Sequence, residues 1–128
     1  MTGFSGPLRV QFRDDGETMI VLEAITFTDG AGRVWPLPAG AISDGASIPR
    51  ALWSTVGSPF TGLYRVAAFF HDEAYRTPGM DKEAADLMLR ECAIACGCSV
   101  ELADLIYAGV RIGGEWSFEA DQREVAAA

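Results

Sequence analysis

Basic residues are scarce in this chain. Ten Lys and Arg stand against eighteen Asp and Glu, for a formal net charge of −8. A surface that grips phosphate backbones needs clustered cations, and no Lys/Arg cluster is present, so nucleic acid is not expected as a partner. Long apolar runs are also missing. Stretches such as Val66–Phe70 fall far short of the roughly 20 residues that cross a bilayer, and no transmembrane segment is expected. Cysteine is confined to Cys92, Cys96 and Cys98. An odd, clustered set makes a poor disulfide framework. The chain does not open with a charged segment followed by an apolar stretch, so no secretory signal is read and a reducing cytoplasm is the expected compartment. Histidine occurs once, as His71.

What is present is ordinary globular material. Hydrophobic residues make up 49% and charged residues 22% of 128 residues, which suits one domain with one core and excludes a disordered chain.

The chain changes character near residue 45. Leu8–Arg13 alternates apolar and polar side chains, the period of a half-buried strand. Asp14-Asp15-Gly16 is a turn signal, and Thr18–Thr28 is rich in β-branched and aromatic residues. After a second turn at Asp29–Gly32, Arg33–Trp35 and Ala41–Ser43 read as short strands. Pro36 and Pro38 between them point to an edge or a bulge. Residues 1–45 are therefore expected to form an antiparallel β-meander.

Residues 46–114 read as helical. Ser47 is placed as an N-cap with Pro49 in the first turn of a short helix ending near Thr55. Longer helices are expected at about Pro59–Arg76, Lys82–Cys96 and Val100–Ile112, the second capped by Asp81 and the third stopped by Gly113-Gly114. Residues 115–128 read as an acidic, then alanine-rich, C-terminal tail. The expected class is α+β, strands first and a bundle of three to four helices afterwards.

On the Pro59–Arg76 helix, Leu63, Val66, Ala67, Phe70 and Ala74 form an apolar stripe. Beside it lie Tyr64, Ala68, His71, Asp72 and Tyr75. Arg65, Phe69, Glu73 and Arg76 fall on the far side. On the next helix Ala85, Met88, Leu89, Cys92 and Cys96 form a stripe, with Asp86 at its border. A short loop joins the two helices, so they should pack antiparallel. At 1.5 Å per residue, His71 and Asp86 each stand roughly 8 Å from that loop, so they can meet. A carboxylate holding one imidazole nitrogen fixes the tautomer and leaves the other as a general base. Asp72 points about 100° away, where its oxygens suit a hard cation. Asp44, in the Ser43–Arg50 loop, is a second candidate ligand, beside the Ser47 hydroxyl. The alternatives are structural: His71 as a satisfied core residue, Asp86 paired with Arg90 four residues on, and Ser47 as a cap.

Two resemblances follow from these residues. Asp44-Gly45-Ala46-Ser47-Ile48-Pro49-Arg50 with Trp53, then His71-Asp72-Glu73-Ala74-Tyr75, then Ala85-Asp86, resembles a small domain family of unknown function encoded mainly by tailed bacteriophages and prophages. The second is narrower. A His-Asp-x-x-Tyr helix facing an Asp on an antiparallel helix is similar to the catalytic pair of secreted phospholipases A2. That resemblance implies His71 as the base that activates water, Asp72 as a calcium ligand, and Asp86 and Tyr75 as the groups that orient His71. The sequence departs from that family: Phe69, Phe70 and Ala74 replace its cysteine pattern, and no glycine- and cysteine-rich calcium loop is present.

Two functions are expected from this. One is a metal-assisted hydrolase, with a lipid ester as the substrate implied by the resemblance and calcium favoured over zinc. The other is a non-enzymatic virion component, a tail or baseplate protein docking on other phage structural proteins, in which the His/Asp cluster is structural. The corresponding locations are the host cytoplasm and the assembled virion.

Overall fold

In a computed structural model, residues 3–16, 18–43 and 64–127 are described. Six short strands come first: β1 (Gly3–Phe4), β2 (Val10–Phe12), β3 (Met19–Val21), β4 (Ile25–Thr28), β5 (Val34–Leu37) and β6 (Ile42–Ser43). Four helices follow: α1 (Arg65–Tyr75), α2 (Lys82–Ala95), α3 (Val100–Gly113) and α4 (Glu115–Ala127). The molecule is α+β, as the sequence pattern predicts.

The strands divide between two three-stranded antiparallel sheets, ordered β1-β4-β5 and β2-β3-β6. This differs from one sequential meander, and the cause lies between Val21 and Ile25. The continuous Thr18–Thr28 run bends there, so Met19↔Ser43 pairs in one sheet while Phe27↔Trp35 pairs in the other. Both turns are where the sequence puts them. The Asp15 carboxylate accepts from the Thr18 backbone and hydroxyl, and Gly16 takes φ +71°. Asp29 accepts from the Ala31 and Arg33 amides and from the Trp35 indole. Pro36 is tolerated because β5 is an edge strand.

Helix α1 is the axis of the domain. It contacts α2, α4, β5 and β6. The sequence places Phe69 on its outer side, yet Phe69 is buried along with Ala67, Ala68, Phe70, His71, Asp72, Ala74 and Tyr75. A helix with neighbours on several sides has no single solvent stripe. Phe70 packs edge-on to Phe27, 6.2 Å between ring centroids, with Phe4 joining the cluster. Asp81 caps α2 as expected, accepting from the Ala84 amide, and Ser99 caps α3, accepting from the Leu102 amide. The Ala85, Met88, Leu89 and Cys92 stripe of α2 is buried, and all three cysteines are free thiols.

The expected tail is instead a helix. Gly114 closes α3 by donating its amide to Val110 O, then accepts from the Phe118 amide as α4 begins. The Gly-Gly pair reads as a stop, but Gly114 keeps helical dihedrals. It is needed for space: a Cβ there would stand 2.6 Å from Val110 O and 2.8 Å from the Tyr75 hydroxyl. Trp116 on α4 is 76% exposed. Among the described residues, no helix is long and apolar enough to cross a membrane.

Candidate functional site

Asp86 is the centre of the site. Lys82–Ala95 forms a helix because Asp81 caps it and because Ala, Glu, Leu, Met and Arg dominate its sequence. Its second turn directs the Asp86 side chain into the core, where the carboxylate has no exposed surface. Four side chains converge on it. His71 Nε2 lies 2.7 Å from Oδ1, and the Tyr75 hydroxyl donates to the same oxygen over 2.7 Å. Lys82 Nζ donates to Oδ2 over 2.8 Å and Arg111 Nη1 over 3.1 Å. His71 and Tyr75 reach it because they are four residues apart on one face of α1. Their rings also lie against each other, 4.1 Å between centroids.

Burial alone would push the Asp86 carboxyl upward. The hydrogen bond and charge of His71, then the hydrogen bonds from Lys82 and Tyr75, outweigh it and lower the pKa to about 2. The group is therefore an ionised acceptor, so the hydrogen on the His71–Asp86 contact sits on Nε2. Burial, reinforced by the Asp86 hydrogen bond, raises the Tyr75 pKa far above the ordinary phenol value, so Tyr75 acts as a neutral donor. The Asp86 hydrogen bond raises the Arg111 pKa.

The structure brings Asp86 to His71, as the helix-pair reading expects, and adds a direct bond from Tyr75, while the alternative Arg90 partner is not used. Arg90 instead binds Asp104 at 2.6 Å. Lys82 and Arg111 were not foreseen. Lys82 carried a signal, since it is the chain's one lysine and stands at i−4 from Asp86. It also donates to Val110 O over 2.9 Å, where the C-terminal end of α3 favours a cation. Arg111 carried none, because it comes from a third helix.

Asp72 lies one position beyond His71 and is buried. Its carboxylate accepts from the Ser43 hydroxyl of β6. Its oxygen chemistry suits a hard cation. The Asp86 oxygens, by contrast, face two permanent cations and do not suit a ligand role. Among the described residues, no group of three or more His, Cys, Asp or Glu side chains is arranged to hold a metal. Asp72 alone does not make a calcium shell. Asp44 and Ser47 lie outside the described residues. Tyr64 is buried at the start of α1, two turns before His71, where burial and the nearby Cys98 raise its pKa. Its position places it near Cys98 rather than in the Asp86 cluster.

Helix α4 closes one side of the cluster. Phe118 packs edge-on to Tyr75, 5.1 Å between centroids. The Gln122 amide donates to Tyr75 O and Thr77 O, both over 2.8 Å, and its oxygen accepts from the Gly79 amide.

Comparison with known proteins places this geometry in a family context. A Sinorhizobium fredii protein, Uncharacterized protein y4jT, is 41% identical over 69 residues, which cover 53% of this chain and 20% of that relative. The matched part thus spans about a fifth of that protein's length. No solved structure matches the chain. The family described as Protein of unknown function (DUF1353) matches residues 19–110, a span that contains His71, Asp72, Tyr75, Lys82 and Asp86, and this chain belongs to that family.

Proposed function

We propose that the domain is a hydrolase in which His71 serves as the general base. The observation that carries this reading is the His71 Nε2 contact of 2.7 Å with Asp86 Oδ1, an oxygen that also accepts from Tyr75. In this reading Nδ1 is the nitrogen that exchanges a proton with the attacking water. Nδ1 takes a proton as the water oxygen bonds to the carbonyl carbon of an ester, then returns it to the departing alkoxide. Asp86 holds the ring orientation and stabilises the transient positive charge. The resemblance to secreted phospholipases A2 supplies the substrate class, a lipid ester. It also supplies a calcium ion on Asp72 with help from Asp44. No step above passes through that ion, since the described residues do not compose its shell.

A direct test uses short-chain phosphatidylcholine below its micelle concentration, with and without added calcium. The wild-type chain should release fatty acid, and His71→Gln should reduce the rate at least a hundredfold with little loss of melting temperature. Equal rates in the two proteins would overturn the reading.

A second reading is favoured by one observation: neither His71 nor Asp86 has any exposed surface. Here the cluster is architecture, and the domain is a non-enzymatic part that docks on other proteins, such as a phage tail or baseplate component. No turnover, a sharply lowered melting temperature for His71→Gln, and stoichiometric presence in purified particles would together favour this second reading.

A further inference from the structure

Two large apolar side chains stand in solvent where α3 meets α4. Ile112 is 85% and Trp116 76% exposed, and Leu105, further back on α3, is 40% exposed. They belong to one line. Val110 is buried, so Ile112, two positions on at about 100° per residue, faces the other way. Phe118 packs inward on Tyr75, so Trp116, two positions before it, also faces outward. The helical path runs through Gly114, whose amide donates to Val110 O and whose oxygen accepts from the Phe118 amide. Leu105, the exposed Ala108, Ile112 and Trp116 thus follow one another at steps of three, four and four residues, the spacing at which one helix meets another. Single exposed apolar residues are ordinary, but a contiguous line of them with a tryptophan in it marks a protein contact.

The charge around the line selects its occupant. Helices α3 and α4 carry six carboxylates and two arginines, and one of those arginines, Arg111, is held by Asp86. Glu101 stands one turn before Leu105, and Glu115 and Glu119 flank Trp116; all three are exposed. Among the described residues, no ion pair engages these three. A second copy laid along the line, in either direction, would set carboxylate against carboxylate at both ends, which costs affinity. An anionic lipid surface meets the same repulsion. A helix with apolar residues at matching steps and Lys or Arg beside them complements both the line and its acidic borders.

We propose that this face docks a basic amphipathic helix of another protein. Trp116 and Ile112 are the anchors, Ala108 lets the partner backbone come close, and Glu101, Glu115 and Glu119 pair with its cations. None of these residues exchanges a hydrogen bond with Asp86, so the proposal holds whether the His71 cluster is catalytic or structural.

The test is calorimetric titration of the full chain with three synthetic peptides. The first has leucine at alternating third and fourth positions and lysine elsewhere, the second is its scrambled isomer, and the third carries glutamate in place of lysine. The first should saturate a single site, and the other two should bind at least tenfold more weakly. Ile112→Ser with Trp116→Ser changes only exposed side chains, so the melting temperature should hold while affinity for the first peptide falls at least tenfold. Glu101→Gln, Glu115→Gln and Glu119→Gln together should weaken it at least threefold and flatten its salt dependence. Equal binding of the scrambled isomer, or affinity unchanged within twofold in the serine variant, would overturn the proposal. So would two other outcomes: sedimentation showing a wild-type dimer that the serine variant dissociates, which assigns the face to a second copy, or binding to phosphatidylglycerol vesicles that the serine variant loses, which assigns it to a membrane.

Discussion

A single carboxylate accepting from His71, Tyr75, Lys82 and Arg111 binds three helices to one point. Removing a buried acceptor strands its donors, and the stranded charge costs more than the lost contact. Asp86→Ala should therefore lower stability by about 3–5 kcal/mol, read by urea denaturation. Lys82→Met should cost less, about 2 kcal/mol, because Arg111 still neutralises the carboxylate while Val110 O loses its donor. Equal stability of Lys82→Met and wild type would mean that the lysine contact contributes nothing net. At this scale the sequence was informative about His71, Tyr75 and Asp86, because helical spacing and a short connecting loop dictate which residues meet. It was silent about Arg111, whose approach depends on how α3 crosses α2, a packing property that no local pattern encodes.

Elements were legible where they carry a period or a cap. The stripe of α2, the cap Asp81 and the turns at Asp15 and Asp29 all depend on neighbours within a few residues. Helix α4 was missed because it has no apolar stripe and no buried residue. Its helicity rests on Glu, Ala, Gln and Arg propensity and on docking through Phe118 and Gln122. The split of Thr18–Thr28 into β3 and β4 was likewise hidden, since both halves have strand composition and only their partners differ. Two predictions belong here. Gly114→Ala drives a methyl group against Val110 O and the Tyr75 hydroxyl, and should cost about 1–3 kcal/mol. Gln122→Ala removes three hydrogen bonds that tie α4 to residues 75–79, so amide exchange should accelerate in α4 while α2 stays protected.

For the molecule as a whole, the Asp86 pKa couples the site to global stability. Its folded value, about 2, lies below the ordinary aspartate value of 3.8. A depressed carboxylate pKa adds stability that is fully present above the unfolded value and is lost as pH falls through the folded one. The contribution is on the order of 2 kcal/mol and should disappear between about pH 4 and pH 2. Urea midpoints measured across that window should fall steeply for the wild-type chain and less steeply for Asp86→Asn. Parallel slopes would show that other carboxylates dominate acid unfolding.

The central claim is that Asp86 fixes His71 with its hydrogen on Nε2. Because the chain has one histidine, a long-range proton–nitrogen NMR spectrum of the uniformly labelled protein near neutral pH reads that ring without ambiguity. The account predicts a protonated Nε2 whose hydrogen exchanges slowly with water, behind the fully buried Asp86 contact. A ring protonated at Nδ1 with a bare Nε2 would contradict it.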